Sequence, residues 1–243
     1  MDYKGKITSD DTLLQDIGQY RRLVGRLIYL TIIRPDIAYT ISYVSQFIQA
    51  STVGHMGLID QILCYLKTAP RRGILMKNHN HTEIVGYIDV DWAENPTDRR
   101  STTGYCTFVG GNIVTWKSKK QNVVACSSAE AEYRAMAYTT CEVVWLKLLL
   151  QELHCNSINS PIKLFCDNQA TCHIAANPVF HERTKHIEVD CHFIPEKIQG
   201  KIIETPYIRS KDQLADIFTK ALSKNIFQEF ASKLTSDDIF APT

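Results

Sequence analysis

The sequence predicts an α/β protein, in which a mixed sheet flanked by helices follows a small all-helical segment. Two observations lead there. Apolar residues recur at helical spacing up to about Lys67, and the period changes to that of strands from Glu83 onward. Three strand candidates then succeed one another across short polar or glycine-containing stretches, and strands alternate with helices after them. Hairpin-linked strands followed by such alternation combine antiparallel and parallel pairing in one sheet.

Two amphipathic helices are expected from Leu13 to Thr31 and from Asp36 to Gln49, separated at Arg34-Pro35 because proline and its predecessor resist helical continuation. A third, from His55 to Lys67, carries Leu58, Ile59, Ile62, Leu63, Tyr65 and Leu66 on a broad stripe. The turn Thr68-Ala69-Pro70-Arg71-Arg72-Gly73 suggests a boundary, so that 1–73 form a helical segment, 83–223 the sheet domain and 224–243 a C-terminal tail. Strands are expected at Glu83 to Trp92, Gly104 to Val109 and Ile113 to Val124, the last two joined by Gly110-Gly111-Asn112. The longest helical pattern runs from Ser128 to Leu153, and Ser127 with Glu130 suits a capping box at its start. A short apolar strand, Ile162 to Cys166, ends at Asp167-Asn168. Helices at Gln169 to Ala176 and Glu182 to Gln199, a strand at Lys201 to Ile208 and a helix at Lys211 to Leu222 complete the order, with Ser210 and Gln213 as a second capping box.

Composition narrows the class. With 44% hydrophobic and 22% charged residues and no apolar run near bilayer length, a membrane-spanning role is not expected. The start, MDYKGKITSDD, lacks the apolar core of a signal peptide, and the eight cysteines contain no CxxC pair. Free thiols in a reducing compartment follow, and the expected location is cytoplasmic, with the nucleus as a second compartment. Residues 1–82 hold 10 Lys/Arg against 6 Asp/Glu and the remainder 17 against 20, a lean too mild to identify a polyanionic partner by itself.

Chemistry is suggested by carboxylates in apolar settings. In Val85 to Trp92, Asp89 and Asp91 interrupt a strand whose two faces are otherwise largely apolar, and a buried carboxylate must pair, protonate or hold a metal. Asp91 lies nearer the strand end and suits a solvated or supporting role. Glu132 shares a helical stripe with Met136, Thr140, Val143, Leu146, Leu150 and Leu153; Asp167 ends an apolar strand; Asp216 flanks Leu214, Ile217, Phe218 and Ala221. Together Asp89, Glu132, Asp167 and Asp216 suit two divalent ions roughly 4 Å apart that hydrolyse a phosphodiester, with Mg²⁺ the natural choice and Mn²⁺ an alternative. Plainer readings stand beside these. Asp89 could pair with Arg99 or Arg100, Glu132 could be a partly exposed acid at a helix start, Asp167 a helix N-cap and Asp216 a surface acid. Lys117, Lys119 and Lys120 beside Trp116, with Arg99 and Arg100, could contact nucleic acid or simply protect a strand edge. His181, His186 and His192 with Cys172 and Cys191 fit no common zinc spacing.

The ordered set YIDVDWA, SSAEAEY, CDNQAT and QLADIFTKAL, continued through WKSKKQ and HERTKHIEVDCHFI, resembles the ribonuclease H domain of copia-type retrotransposon Pol polyproteins. Upstream, YRRLVGRLIYL, RPDIAY and the segment ending in CYLK are similar to the end of the adjoining reverse transcriptase region. The resemblance implies a ribonuclease H-like five-stranded mixed sheet and metal-dependent cleavage of the RNA strand of RNA–DNA hybrids. It also implies that Asp89, Glu132, Asp167 and Asp216 act as catalytic, metal-binding acids, with the polymerase and integrase parts of a parent polyprotein as partners and no membrane involved. The polymerase's paired-aspartate motif is absent, so no polymerase activity is expected from this chain alone. The loop from Ile208 to Gln213 lacks the histidine of cellular ribonucleases H, and Pro195, Ile33 and Cys126 replace an expected arginine, threonine and arginine. These departures keep a second reading open, a degenerate remnant that binds nucleic acid or has no activity. An integrase is disfavoured by the acid order and by the lack of a zinc-binding partner module.

Overall fold

A computed structural model of the chain describes residues 12–93, 98–155, 160–177 and 188–235, with no side-chain description at 188–191. The chain divides into two units, Met1–Leu75 with Lys220–Thr243, and Met76–Thr219.

In the first unit α1 spans Ile17–Leu30 and starts later than its apolar pattern, because the Asp16 carboxylate caps it by accepting from the Gln19 N–H at 2.8 Å. Leu13 is instead bridged to Thr52. A 3₁₀ turn at Pro35–Ile37 leads into α2, Ala38–Ser45, which stops short of the expected Gln49. Helix α3, Val53–Thr68, begins two residues early because Thr52 and His55 cap each other: the His55 N–H donates to Thr52 Oγ1, and the Thr52 N–H donates to His55 Nδ1 at 3.1 Å. Tyr20, Val24, Leu27, Ile37, Ile41, Val44, Leu58, Ile59 and Ile62 form the core between these helices. A buried polar network crosses it. Arg34 donates twice to Asp36, at 2.9 and 2.8 Å, Tyr65 Oη donates to Asp36 Oδ2 at 2.5 Å, and Arg72 Nη1 donates to Tyr65 Oη at 2.9 Å. Residues 224–243, expected as a tail, contain α7, Lys224–Leu234, which buries Phe230, Ala231 and Leu234 and sets Phe227 edge-on to Tyr65.

The second unit is built on one five-stranded mixed sheet. Its strands β1 (Ile84–Asp91), β2 (Thr102–Val109), β3 (Asn112–Lys120), β4 (Ile162–Cys166) and β5 (Ile203–Glu204) lie in the order β3-β2-β1-β4-β5. Pairing is antiparallel among β1, β2 and β3, and parallel from β1 to β4 and from β4 to β5. The β2–β3 hairpin turns through Gly110 and Gly111 at φ of +56° and +75°; a Cβ on Gly110 would also lie 2.4 Å from the His81 carbonyl oxygen, so only glycine serves there. Helix α4, Ser128–Glu152, lies across β1 and buries Ala131, Tyr133, Ala135, Met136, Val143 and Leu146 against Ile84, Ile88, Ile162 and Leu164, while α5 (Gln169–Ala176) and α6 (Glu188–Gln199) pack beside it.

Several sequence expectations need correction. Strand β3 ends at Lys120 rather than Val124, because the buried Gln121 amide turns inward to Thr103 Oγ1 and the Ala131 carbonyl. The helix expected over Lys211 to Leu222 is two 3₁₀ segments, Ser210–Asp212 and Leu214–Phe218. Gln213 explains the break: its Nε2 donates to the Ile88 carbonyl of β1 at 2.8 Å, while its Oε1 accepts from the Ala215 N–H. That tether holds the backbone at ψ 99°, outside the helical range. Glu130 does not close a capping box with Ser127; it accepts from the Cys126 N–H at 2.8 Å and pairs with Arg134 at 2.9 Å. Pro195 lies inside α6, which runs on through it. Its N cannot bond the carbonyl of residue 191, and the neighbouring Ile194 is fully buried.

Candidate metal centre

The parallel register of β1 and β4 builds the centre. Ile88 and Cys166 form the last β1–β4 paired row, so Asp89 and Asp167 follow it side by side, Asp89 still within β1 and paired with Gly104 of β2, and Asp167 just past β4. Glu132 reaches them from the second turn of α4, whose start is fixed by Ser127 accepting from the Glu130 N–H at 3.1 Å. One carboxylate oxygen each from Asp89, Glu132 and Asp167 lies within 4.8 Å of the others, the one such grouping of potential metal ligands among the described residues. Asp89 is 3% exposed and Glu132 5%, while Asp167 is half-buried. Three carboxylates this close repel one another unless a cation or protons offset their charge. Three hard oxygen donors with no nitrogen suit Mg²⁺ or Mn²⁺.

The plainer readings of these acids meet specific obstacles. Asp89 is buried rather than exposed, and Arg100 lies 3.9 Å from Asp98. Asp167 does not cap α5; Asn168 does, accepting from the Thr171 N–H at 3.1 Å. Asp216 is buried on the second 3₁₀ segment and lies outside the three-acid grouping. Asp91 is half-buried at the end of β1. Cys166 Sγ sits 3.9 Å from Glu132 Oε2. Its thiol is pushed far above the ordinary range, by the hydrogen bond with Cys172 first, then by burial and by Glu132, so it stays neutral and adds no charge to the acids.

Hydroxyl groups surround the carboxylates. Ser210 Oγ donates to Asp167 Oδ2 at 2.7 Å, and Thr219 Oγ1 donates to Asp89 Oδ2. Neither contact is visible in local sequence, because each joins residues far apart in the chain. The candidate nucleic-acid contacts divide. Lys117 and Lys119 are exposed on β3, a sheet edge, and share one face. Lys120 is half-buried and bridges to Asp98 at 3.2 Å, and Arg99 and Arg100 are exposed before β2. His181 and His186, and the side chain of Cys191, fall outside the described residues. No described helix is long and apolar enough to cross a membrane.

No protein-family model matches the chain. It is 43% identical over 223 residues, 92% of its length, to the retrovirus-related Pol polyprotein from transposon RE1 of Arabidopsis thaliana. It is 40% identical over the same length to that from transposon RE2 of the same plant. The chain spans 15% of the length of each of these relatives. Among solved structures it is similar to the foamy viral protease-reverse transcriptase in complex with an RNA/DNA hybrid, at 13% identity and a TM-score of 0.50, over 92% of this chain and 28% of that one.

Proposed function

The chain belongs to the copia-type retrotransposon Pol polyproteins, and from that premise we propose that its Met76–Thr219 unit is a metal-dependent endonuclease that hydrolyses the RNA strand of RNA–DNA hybrids during reverse transcription. One observation carries the proposal. Carboxylates from two adjacent strands and a crossing helix, unrelated in sequence, converge to within 4.8 Å at one end of the sheet. Three buried or half-buried acids gathered this closely have no evident structural benefit without a cation among them.

Asp89, Glu132 and Asp167 would hold the ions, with Asp216 on the neighbouring 3₁₀ segment as the fourth acid of the site. Two Mg²⁺ or Mn²⁺ ions held there would supply activation of a water and neutralisation of the leaving oxygen of a phosphodiester. The burial of Asp89 and Glu132 keeps both side chains fixed before substrate arrives, which is the protein's share of catalysis by preorganisation. Lys117 and Lys119, exposed at the β3 edge, offer charge to a hybrid's phosphate backbone, an interaction that weakens with salt. The polymerase and integrase parts of the parent polyprotein are the proposed partners, with action in the cytoplasm or within virus-like particles.

The test is cleavage of a labelled RNA–DNA hybrid by the whole chain in Mg²⁺, beside Asp89→Asn, Glu132→Gln and Asp167→Asn. Strand-specific cutting of RNA, lost on chelation and reduced by at least about 10³-fold in each variant, is the expected outcome. Cutting no faster than Asp89→Asn rejects the proposal.

A further inference from the structure

Two of the three clustered carboxylates receive a hydroxyl hydrogen bond from one short stretch of chain. Ser210, at the start of the first 3₁₀ segment, donates to Asp167 Oδ2, and Thr219, just past the second, donates to Asp89 Oδ2. Between them Gln213 bolts the stretch to β1 at the Ile88 carbonyl, the residue before Asp89. The stretch therefore holds β1 at two adjacent positions and the residue just past β4 at one.

Room for this grip is made on β2. Gly104 pairs directly with Asp89, so a side chain there would emerge on the same face as the Asp89 carboxylate. A Cβ on Gly104 would lie 2.5 Å from Thr219 Cγ2, 2.9 Å from Phe218 Cβ and 3.1 Å from the Ala215 carbonyl oxygen. The missing side chain opposite Asp89 is what lets Thr219 reach it. Thr219 is fully buried, and besides Asp89 its hydroxyl lies 3.3 Å from the Asp216 carbonyl oxygen. With one proton to give, the ionised carboxylate is the stronger acceptor.

From this geometry we infer that Thr219 and Ser210 are positioning residues of the metal centre. Each ties down one oxygen of a carboxylate proposed to hold an ion. A carboxylate held this way loses no rotational freedom when a cation binds, and removing such a support lowers metal affinity about 10- to 100-fold. The inference rests on the proposed role of the acids as ion ligands, and it assigns to the 210–219 stretch the alignment of two of them.

The experiment is calorimetric titration of the whole chain with Mg²⁺ alone, paired with kcat and KM on the hybrid, for Thr219→Val, Thr219→Ser and Ser210→Ala. Thr219→Val keeps shape and removes the donor; Thr219→Ser keeps the donor; Ser210 is exposed, so its loss does not endanger folding. The expected result is Mg²⁺ binding weakened about 10-fold in Thr219→Val and Ser210→Ala and close to unchanged in Thr219→Ser, with kcat at low Mg²⁺ falling and KM for the hybrid steady. Should Thr219→Val fail to fold, Ser210→Ala decides the matter. Unaltered Mg²⁺ binding in the donor-less variants overturns the inference and leaves the nuclease proposal standing. Weakened binding in variants of a chain that never cuts the hybrid overturns the nuclease proposal and leaves the positioning role standing. A wild-type chain that takes up no Mg²⁺ overturns both.

Discussion

Substituting Gly104→Ala perturbs the tightest point of the sheet domain with one methyl group. The built Cβ meets Thr219 Cγ2 at 2.5 Å, Phe218 Cβ at 2.9 Å and the Ala215 oxygen at 3.1 Å. None of these can swing away, because Phe218 and Thr219 are fully buried and the third is backbone. The 3₁₀ segment must lift from β2 by several tenths of an ångström, an overpacking that costs about 1–3 kcal/mol. The number of simultaneous contacts places the expected loss at about 2 kcal/mol. Trp92, Trp116 and Trp145 are the three tryptophans of the chain and all fall in the Met76–Thr219 unit, so tryptophan fluorescence in urea reports that unit alone. With a urea slope near 2 kcal/mol/M, the midpoint should fall by about 1 M. Gly57→Ala is the control: a Cβ there meets nothing within 4 Å and lies in α3 of the other unit, so the fluorescence midpoint should not move. A Gly104→Ala midpoint within about 0.2 M of wild type would refute the close packing of this stretch on β2.

Three further outcomes follow from the same kind of accounting. Asp36→Ala strands Arg34, which is 4% exposed, and should destabilise the helical unit by about 3–5 kcal/mol, with much of the loss recovered in an Arg34→Met/Asp36→Leu pair; far-ultraviolet circular dichroism in urea measures both. Burial, helped by Tyr43, pushes the Tyr20 phenol up to about 12 from 10.0. A folded pKa above the unfolded one means that this stability is whole below pH 10 and is lost as pH climbs toward 12; Tyr20→Phe should flatten that window, while forfeiting the 2.7 Å bond to the Val44 carbonyl, about 1 kcal/mol. Pro195→Ala restores an N–H inside α6 and should raise the fluorescence midpoint, by the equivalent of about 1 kcal/mol once the lost packing of the buried ring is subtracted. A midpoint that falls instead would show that the ring's packing outweighs its backbone penalty.

What could be read in the sequence was what short-range physics writes there. The strand around Asp89 showed its alternation, the Ser127 cap marked where α4 begins, and Glu132 lay on the stripe whose Met136, Val143 and Leu146 are buried. The final segment misled, because QLADIF has helical spacing while its geometry is set by a Gln213 bond to a carbonyl 125 residues away. Thr52 and His55 escaped notice as a cap because histidine rarely fills the role of the glutamate. Ser210 and Thr219 were equally hidden: a hydroxyl carries no periodicity, and their partners lie 43 and 130 residues earlier in the chain. Gly104 read as an ordinary strand start until its cross-strand partner was known to be Asp89.

The β1–β4 register has a consequence for how the protein matures. Asp89 and Asp167 become neighbours when two parallel strands with a long helical crossover between them have paired, a slow kind of contact to form. A slip of one residue in either strand would turn its aspartate to the opposite face of the sheet. An emerging chain that has not yet reached β4 therefore holds Asp89 and Glu132 without their third companion, and a mispaired one disperses the acids altogether. Were the proposed cation to bind, its capture would come late in folding, and by mass action it would favour the completed register over its near misses.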